Sequence, residues 1–118
     1  MGQIPAALKN QKYASLTTFR KNGTVVPTPV WFAEDGGLIY VMTRGDSVKV
    51  KRIRNNPDVR VAPCTIRGKV TGPEFAGRAR ILPKEEWGPA RSAIRAKYWI
   101  TRISALWSRK NIYLEIML

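Results

Sequence analysis

Thr43-Arg44-Gly45-Asp46-Ser47-Val48-Lys49-Val50-Lys51-Arg52-Ile53-Arg54-Asn55-Asn56-Pro57 is the stretch from which the rest of the chain can be read. The apolar run before it, Leu38–Met42, reads as a buried strand. Gly45-Asp46-Ser47 supplies a turn and an N-cap. The basic segment beyond reads as a short helix, stopped by Asn55-Asn56-Pro57. A strand, a Ser-bearing cap and a Lys-rich first turn together make an anion site. Free backbone N–H groups, a hydroxyl and an ammonium meet there, and the helix dipole adds positive potential. A phosphorylated small molecule suits such a site.

Working outward, alternation and turn chemistry mark out the other elements. Ile4–Lys12 is expected to form a short amphipathic helix, with Pro5 in its first turn and Leu8 on its apolar face. Tyr13–Phe19 alternates and is rich in β-formers, and Lys21-Asn22-Gly23 is a hairpin signal. The returning strand, Thr24–Ala33, contains Pro27 and Pro29, so part of it must be an edge or carry a bulge. Asp35-Gly36-Gly37 turns it into Leu38–Thr43. After the basic helix, Asp58–Thr65 and a segment from about Pro73 to Leu82 read as strands joined through Arg67-Gly68-Lys69, with Phe75, Ala79 and Ile81 facing inward. Pro83 opens a helix that Gly88-Pro89 is expected to break and restart. Ala93, Ile100, Ile103 and Trp107 then recur at helical spacing as far as Arg109. Ile112–Met117 closes the chain as a strand. Six short antiparallel strands with two or three flanking helices predict a mainly β, α+β domain over residues 1–118, closed as a barrel rather than left as an open sheet.

Composition narrows the chemistry. At 118 residues, with 44% hydrophobic and 25% charged residues, the chain has the make-up of one globular domain. It has no apolar run of membrane-spanning length and no secretory leader pattern, so a cytoplasmic protein with no membrane span is expected. A single cysteine, Cys64, excludes an internal disulfide. The absence of histidine argues against a metal site and removes the commonest general acid–base group. Whatever chemistry occurs is expected to belong to a bound cofactor. The net charge of +13 suits an anionic ligand together with a solvated basic surface. Nucleic acid is not expected as a partner: there is no basic tail, and the aromatics Trp31, Phe32 and Tyr40 fall in otherwise apolar strands.

The order of elements, and the segments Ala14–Thr18, Thr28–Phe32, Ser47–Pro57, Ala62–Cys64 and Arg67–Gly72, resemble the split-barrel, flavin-binding superfamily of pyridoxamine 5′-phosphate oxidase-like proteins. Within it the chain is similar to the branch that uses the deazaflavin coenzyme F-420. The resemblance covers nearly the whole chain and rests on the order and spacing of these motifs together. It implies that Lys49, eight residues before Pro57, holds the cofactor phosphate with Ser47; Lys51 and Arg52 lie on adjacent faces of the helix, so at most one of them is expected to reach it. It also implies that the tricyclic ring lies along Thr28, Pro29, Val30 and Trp31 on one strand and Met42 and Thr43 on the next, at a homodimer interface. FMN-dependent members carry Arg immediately before the phosphate Lys. Val48 stands there instead, which favours coenzyme F-420 over the alternative, FMN.

The implied activity is that of an oxidoreductase passing a hydride to a small organic electron acceptor. A proton would come from water or from a hydroxyl such as Thr28 or Tyr98. Arg67 and Lys69 would meet the acidic oligoglutamate tail of the coenzyme or remain solvated. Trp31 suits core packing as well as ligand contact. Tyr98 and Trp99 read as core or interface residues, and Cys64 as an inert buried thiol. A non-catalytic flavin carrier or sensor fits the same residues.

Overall fold

The computed structural model describes residues 4–9, 11–98 and 111–118. Six antiparallel strands close into a barrel: β1 (Tyr13–Phe19), β2 (Val25–Asp35), β3 (Leu38–Arg44), β4 (Asp58–Cys64), β5 (Phe75–Ile81) and β6 (Asn111–Met117). Their order around the barrel is β1-β2-β3-β6-β5-β4. Among the described residues two α-helices flank it, α1 (Val48–Asn55) after β3 and α2 (Trp87–Lys97) after β5. The mainly β barrel expected from the periodicity is therefore the observed fold. No helix among the described residues is long and apolar enough to cross a membrane.

The prolines of β2 explain how the barrel is split. Among the described residues, Val25–Trp31 pair with β1 alone, from Phe19↔Val25 to Tyr13↔Trp31. Only Phe32–Asp35 go on to pair with β3. Pro27 and Pro29 thus sit where β2 has a ladder on one side only, so their missing N–H groups interrupt nothing. β3 pairs with β6 from Ile39↔Ile116 to Arg44↔Asn111, and beyond the Phe32↔Val41 pair its ladder with β2 ends while that with β6 continues. The barrel parts between the first half of β2 and the last residues of β3, and α1 begins directly after that end of β3.

The core fills the barrel with Leu16, Val30, Phe32, Ile39, Val41, Val59, Val61, Leu114 and Ile116, and Ile53 of α1 joins it. A second cluster lies under α2, where Ala90, Ile94 and Tyr98 meet Ala33, Tyr40 and Tyr113. Ala79 faces inward as expected, with Phe75 and Ile81 partly buried beside it. β1 is the exception to simple alternation. Its residues Ala14–Thr18 are all buried, the hydroxyl residues Ser15, Thr17 and Thr18 included.

Three expectations need correction. The helix expected over Ile4–Lys12 is a single 3-10 turn, Ala6–Leu8. Nine residues are too few to sustain a helix alone, and Ile4 and Leu8 are instead drawn into the barrel core. Gly88-Pro89 do not break α2 but lie in its first turn, where the N–H that proline lacks has no helical acceptor to miss. The long helix expected to reach Arg109 ends at Lys97 with Tyr98 as its C-cap; Trp99, Ile100, Ile103, Trp107 and Arg109 lie outside the described residues.

One packing contact gives a direct test of the closure. A Cβ on Gly77 of β5 would lie 2.6 Å from Leu118 Cδ2 and 2.8 Å from the Met117 carbonyl oxygen. Because one of those contacts is backbone, the end of β6 must shift to admit it. Gly77→Ala is expected to cost about 1–3 kcal/mol, the usual range for overpacking. A denaturation midpoint equal to that of the unsubstituted protein would show that β6 does not seat on β5 in this way.

Candidate functional site

α1 starts where β3 ends, and the turn between them is braced by its own ion pair. Arg44 grips Asp46 through Nε (3.1 Å) and Nη2 (3.0 Å), and the Ser47 N–H donates to the Arg44 carbonyl at 3.1 Å. Ser47 is the N-cap, with extended backbone (φ −71°, ψ 154°), but its side chain makes no capping bond. Its Oγ is buried and has no hydrogen-bond partner among the described residues. The first turn of α1 contains no acidic residue. Lys49, two residues on, is half-buried and pairs with no acidic group among the described residues. Burial, and after it the neighbouring Arg52 guanidinium, hold its ammonium below the ordinary lysine pKa. An uncapped N-terminus, an orphaned hydroxyl and an unpaired, partly desolvated cation are each unfavourable alone. One tetrahedral oxyanion would satisfy all three.

The remaining sequence-derived residues fall into separate groups. Trp31 and Met42 are each packed, partly buried, against the cluster under α2. Trp31 is stacked on Tyr98 at 4.8 Å between centroids and 6° between planes. Val30, by contrast, projects into the barrel core, so any ligand contact there falls to its backbone. Thr28 is half-buried and Pro29 exposed on the β1-only half of β2, and Thr43 is half-buried opposite Ile112. Arg67 and Lys69 are exposed in the β4–β5 loop. The glycine between them has φ +87°, and a Cβ on it would lie 3.6 Å from the Pro29 ring. The left-handed backbone at Gly68 therefore seats this basic loop against β2. Lys51 is exposed and lines a groove that does not include Lys49. At 100° per residue the two lysines diverge by roughly 200° around the helix, a signal already present in the sequence.

Tyr98, read as core or interface, has a definite structural task. The Phe32 N–H donates to its Oη at 3.1 Å, and its own O–H is shared between the carbonyls of Phe32 (2.7 Å) and Lys12. Burial pushes its pKa up to about 12. Next to it, the Lys97 ammonium lies 3.8 Å from the centroid of the Phe32 ring and donates to the Gln11 carbonyl. Together they tie the end of α2 to the entry of β1. Sequence periodicity placed Tyr98 on the expected long helix, whereas it caps α2, and carried no sign of these partners. Cys64 is buried in β4, and desolvation raises its thiol pKa, which leaves it unreactive.

Comparison with known proteins agrees with this architecture. The profile of the pyridoxamine 5′-phosphate oxidase family matches residues 2–113, and the chain belongs to that family. No curated protein matches it in sequence. Among solved structures, the chain is similar to the heme storage protein HutZ of Vibrio cholerae, with TM-score 0.75 and 10% identity over 92% of this chain and 82% of that one. An FAD-binding protein of Mesorhizobium loti gives TM-score 0.70 and 18% identity over 95% and 82%. A protein of unknown function from Agrobacterium tumefaciens gives TM-score 0.72 and 14% identity over 90% of this chain. The chain spans about half (47%) of the length of that last protein. At these identities the likeness is one of fold.

Proposed function

We propose that the protein is an oxidoreductase that binds coenzyme F-420 through its phosphate at the start of α1 and passes a hydride to a small organic acceptor. The observation that carries the reading is the buried Ser47 Oγ, without a hydrogen-bond partner among the described residues, in the same helix start as the partly desolvated Lys49. Membership of the pyridoxamine 5′-phosphate oxidase family supports a phosphate-bearing flavin-type cofactor, and the FAD-binding likeness from M. loti is in keeping with it. A heme, as in the HutZ likeness, finds no histidine in this chain to serve as axial ligand.

A bound deazaflavin would supply the hydride chemistry. The protein's part is to hold and shield. Lys49 and Ser47 bind the phosphate with charge-assisted and hydroxyl hydrogen bonds. Trp31 and Met42, fixed by the cluster under α2, and the Pro29 ring supply apolar surface along the parted strands. Tyr98 keeps its proton on backbone carbonyls, which leaves Thr28 or water to hold the proton that accompanies reduction. A noncatalytic carrier would use the same contacts, and turnover with an acceptor separates the two.

The coenzymes themselves discriminate. Val48 stands where the FMN-dependent pattern would carry a guanidinium, and its apolar side chain, 61% exposed, offers the phosphate no hydrogen bond. Arg67 and Lys69, exposed beside Pro29, offer positive charge to an oligoglutamate tail. Each such contact is worth about 1 kcal/mol or less and is screened by salt. Titration of the purified protein with each coenzyme is therefore expected to show tighter binding of F-420 than of FMN, with the gap narrowing as ionic strength rises. FMN binding as tightly at low salt, or co-purifying in stoichiometric amount, would transfer the reading to FMN.

A homodimer is part of the proposal, since a ring lying in the parted strands needs a second wall. β6 does not supply that interface by its edge, because it is paired on both sides and Leu114 and Ile116 face the barrel core. Sedimentation is expected to show a dimer at micromolar concentration, with roughly 1,500 Å² or more buried in total; a monomer would remove the second wall.

A further inference from the structure

A second concentration of positive charge lies away from the Ser47–Lys49 site. The outer face of α1 and the β1–β2 turn enclose a groove of about 500 Å³ lined by Phe19, Arg20, Lys21, Val48, Lys51, Arg52 and Asn55. Four of these seven residues are cations and none is an acid. All eight acidic residues of the chain fall among the described residues, so none is hidden elsewhere. Ion pairs engage Asp46 with Arg44, Glu74 with Arg60, Asp58 with Arg78, and Glu86 and Glu115 with Arg80. Arg20, Lys21, Lys51 and Arg52 take part in none of them.

The groove is also shaped. Arg52 is steered by a 3.4 Å hydrogen bond from Nη1 to Thr18 Oγ1. Val48, 61% exposed, and Phe19 give it an apolar wall. Four cations around one small cleft repel one another, and a compact ligand with two or more adjacent negative charges relieves that repulsion at once. A single nucleic-acid strand fits less well. Phe19 is the only aromatic in the groove, and Arg60 already lies 5.5 Å from its ring centroid, so no row of stacking platforms is present.

We infer that the groove between α1 and the β1–β2 turn is a second anion site, distinct from the Ser47–Lys49 site, that takes a small molecule carrying a diphosphate or an equivalent pair of anionic groups. Inorganic pyrophosphate is the probe, titrated calorimetrically into the full chain at low salt. Saturable binding is expected. The double variant Lys21→Ala/Lys51→Ala should weaken it about tenfold or more, whereas Lys49→Ala should change it less than about twofold. Both replaced lysines of the double variant are exposed, and its melting temperature verifies the fold. As an independent readout, backbone amide shifts on titration should concentrate at Phe19–Lys21 and Val48–Arg52. Absence of saturable binding in the millimolar range would overturn the inference. So would loss of pyrophosphate binding in Lys49→Ala alone, which would assign the ion to the cofactor site. Affinity for a single-stranded oligonucleotide that exceeds the pyrophosphate affinity and grows with strand length would overturn it in favour of a nucleic-acid surface.

Discussion

Lys49→Ala is expected to weaken binding of the phosphate-bearing cofactor by about 1.5–3 kcal/mol, roughly 10- to 150-fold, the worth of a charge-assisted hydrogen bond. Ser47→Ala should cost less, about 0.5–1.5 kcal/mol, as a neutral hydroxyl contact does. Stability gives the sharper check. Replacing a capping Ser by Ala ordinarily costs about 0.5–2 kcal/mol. Here Ser47 Oγ makes no capping bond and lies buried without a partner, and the Lys49 ammonium is partly desolvated without an anion. Neither substitution should therefore lower the melting temperature of the cofactor-free protein. Loss of affinity at constant or improved stability is what a site built for a ligand predicts. Unchanged dissociation constants would remove the assignment, and a clear loss of stability in Ser47→Ala would make Ser47 a structural cap.

Tyr98→Phe is expected to destabilise the fold by about 2–4 kcal/mol, because it removes the partner of the buried Phe32 N–H and carbonyl and of the part-buried Lys12 carbonyl at once. For a domain of this size that is a fall in Tm of roughly 8–16 °C. The pH dependence identifies the hydroxyl as the cause. The Tyr98 pKa is raised to about 12 in the folded protein, against an ordinary value of 10.0. Its contribution is thus fully present below pH 10 and is lost as pH climbs toward 12. Lys97 acts in the opposite sense. Burial, partly countered by Glu34, holds its pKa down to about 8 against an ordinary 10.5, so the native state favours the neutral amine. Stability from this group is gained as pH rises from about 8 toward 10.5. Stability should therefore rise gently above pH 8 and then decline above pH 10. In Tyr98→Phe the decline attributable to that hydroxyl should disappear. A variant that retains both its Tm and the alkaline decline would show that the Tyr98 hydroxyl does not hold α2 to the barrel.

Much of this protein is written in local sequence. The strands follow from alternation bounded by Asn22-Gly23 and Gly36-Gly37, where glycines at φ +87°, +59° and +80° make the turns. Pro27 and Pro29 announce a strand that cannot be paired on both sides, and the barrel opens along that half of β2. Ser47 and Lys49 could be singled out because a helix start is a local event: a turn, a cap and a first basic turn lie within five residues. The same helical arithmetic separates Lys51 from Lys49.

What local sequence did not contain is who meets whom across the barrel. β6 enters between β3 and β5, and β1 closes against β4, pairings that join residues far apart in the chain. Tyr98 finds partners 66 and 86 positions away. Ser47 is placed at a cap by its sequence, but only the closed barrel buries its hydroxyl and leaves it without a partner. The groove of Arg20, Lys21, Lys51 and Arg52 exists only because the β1–β2 turn folds beside α1. Turn and cap preferences are energies of a few adjacent residues and can be read in order. Burial and charge proximity depend on which surfaces exclude water from one another, and that is decided only when the six strands close.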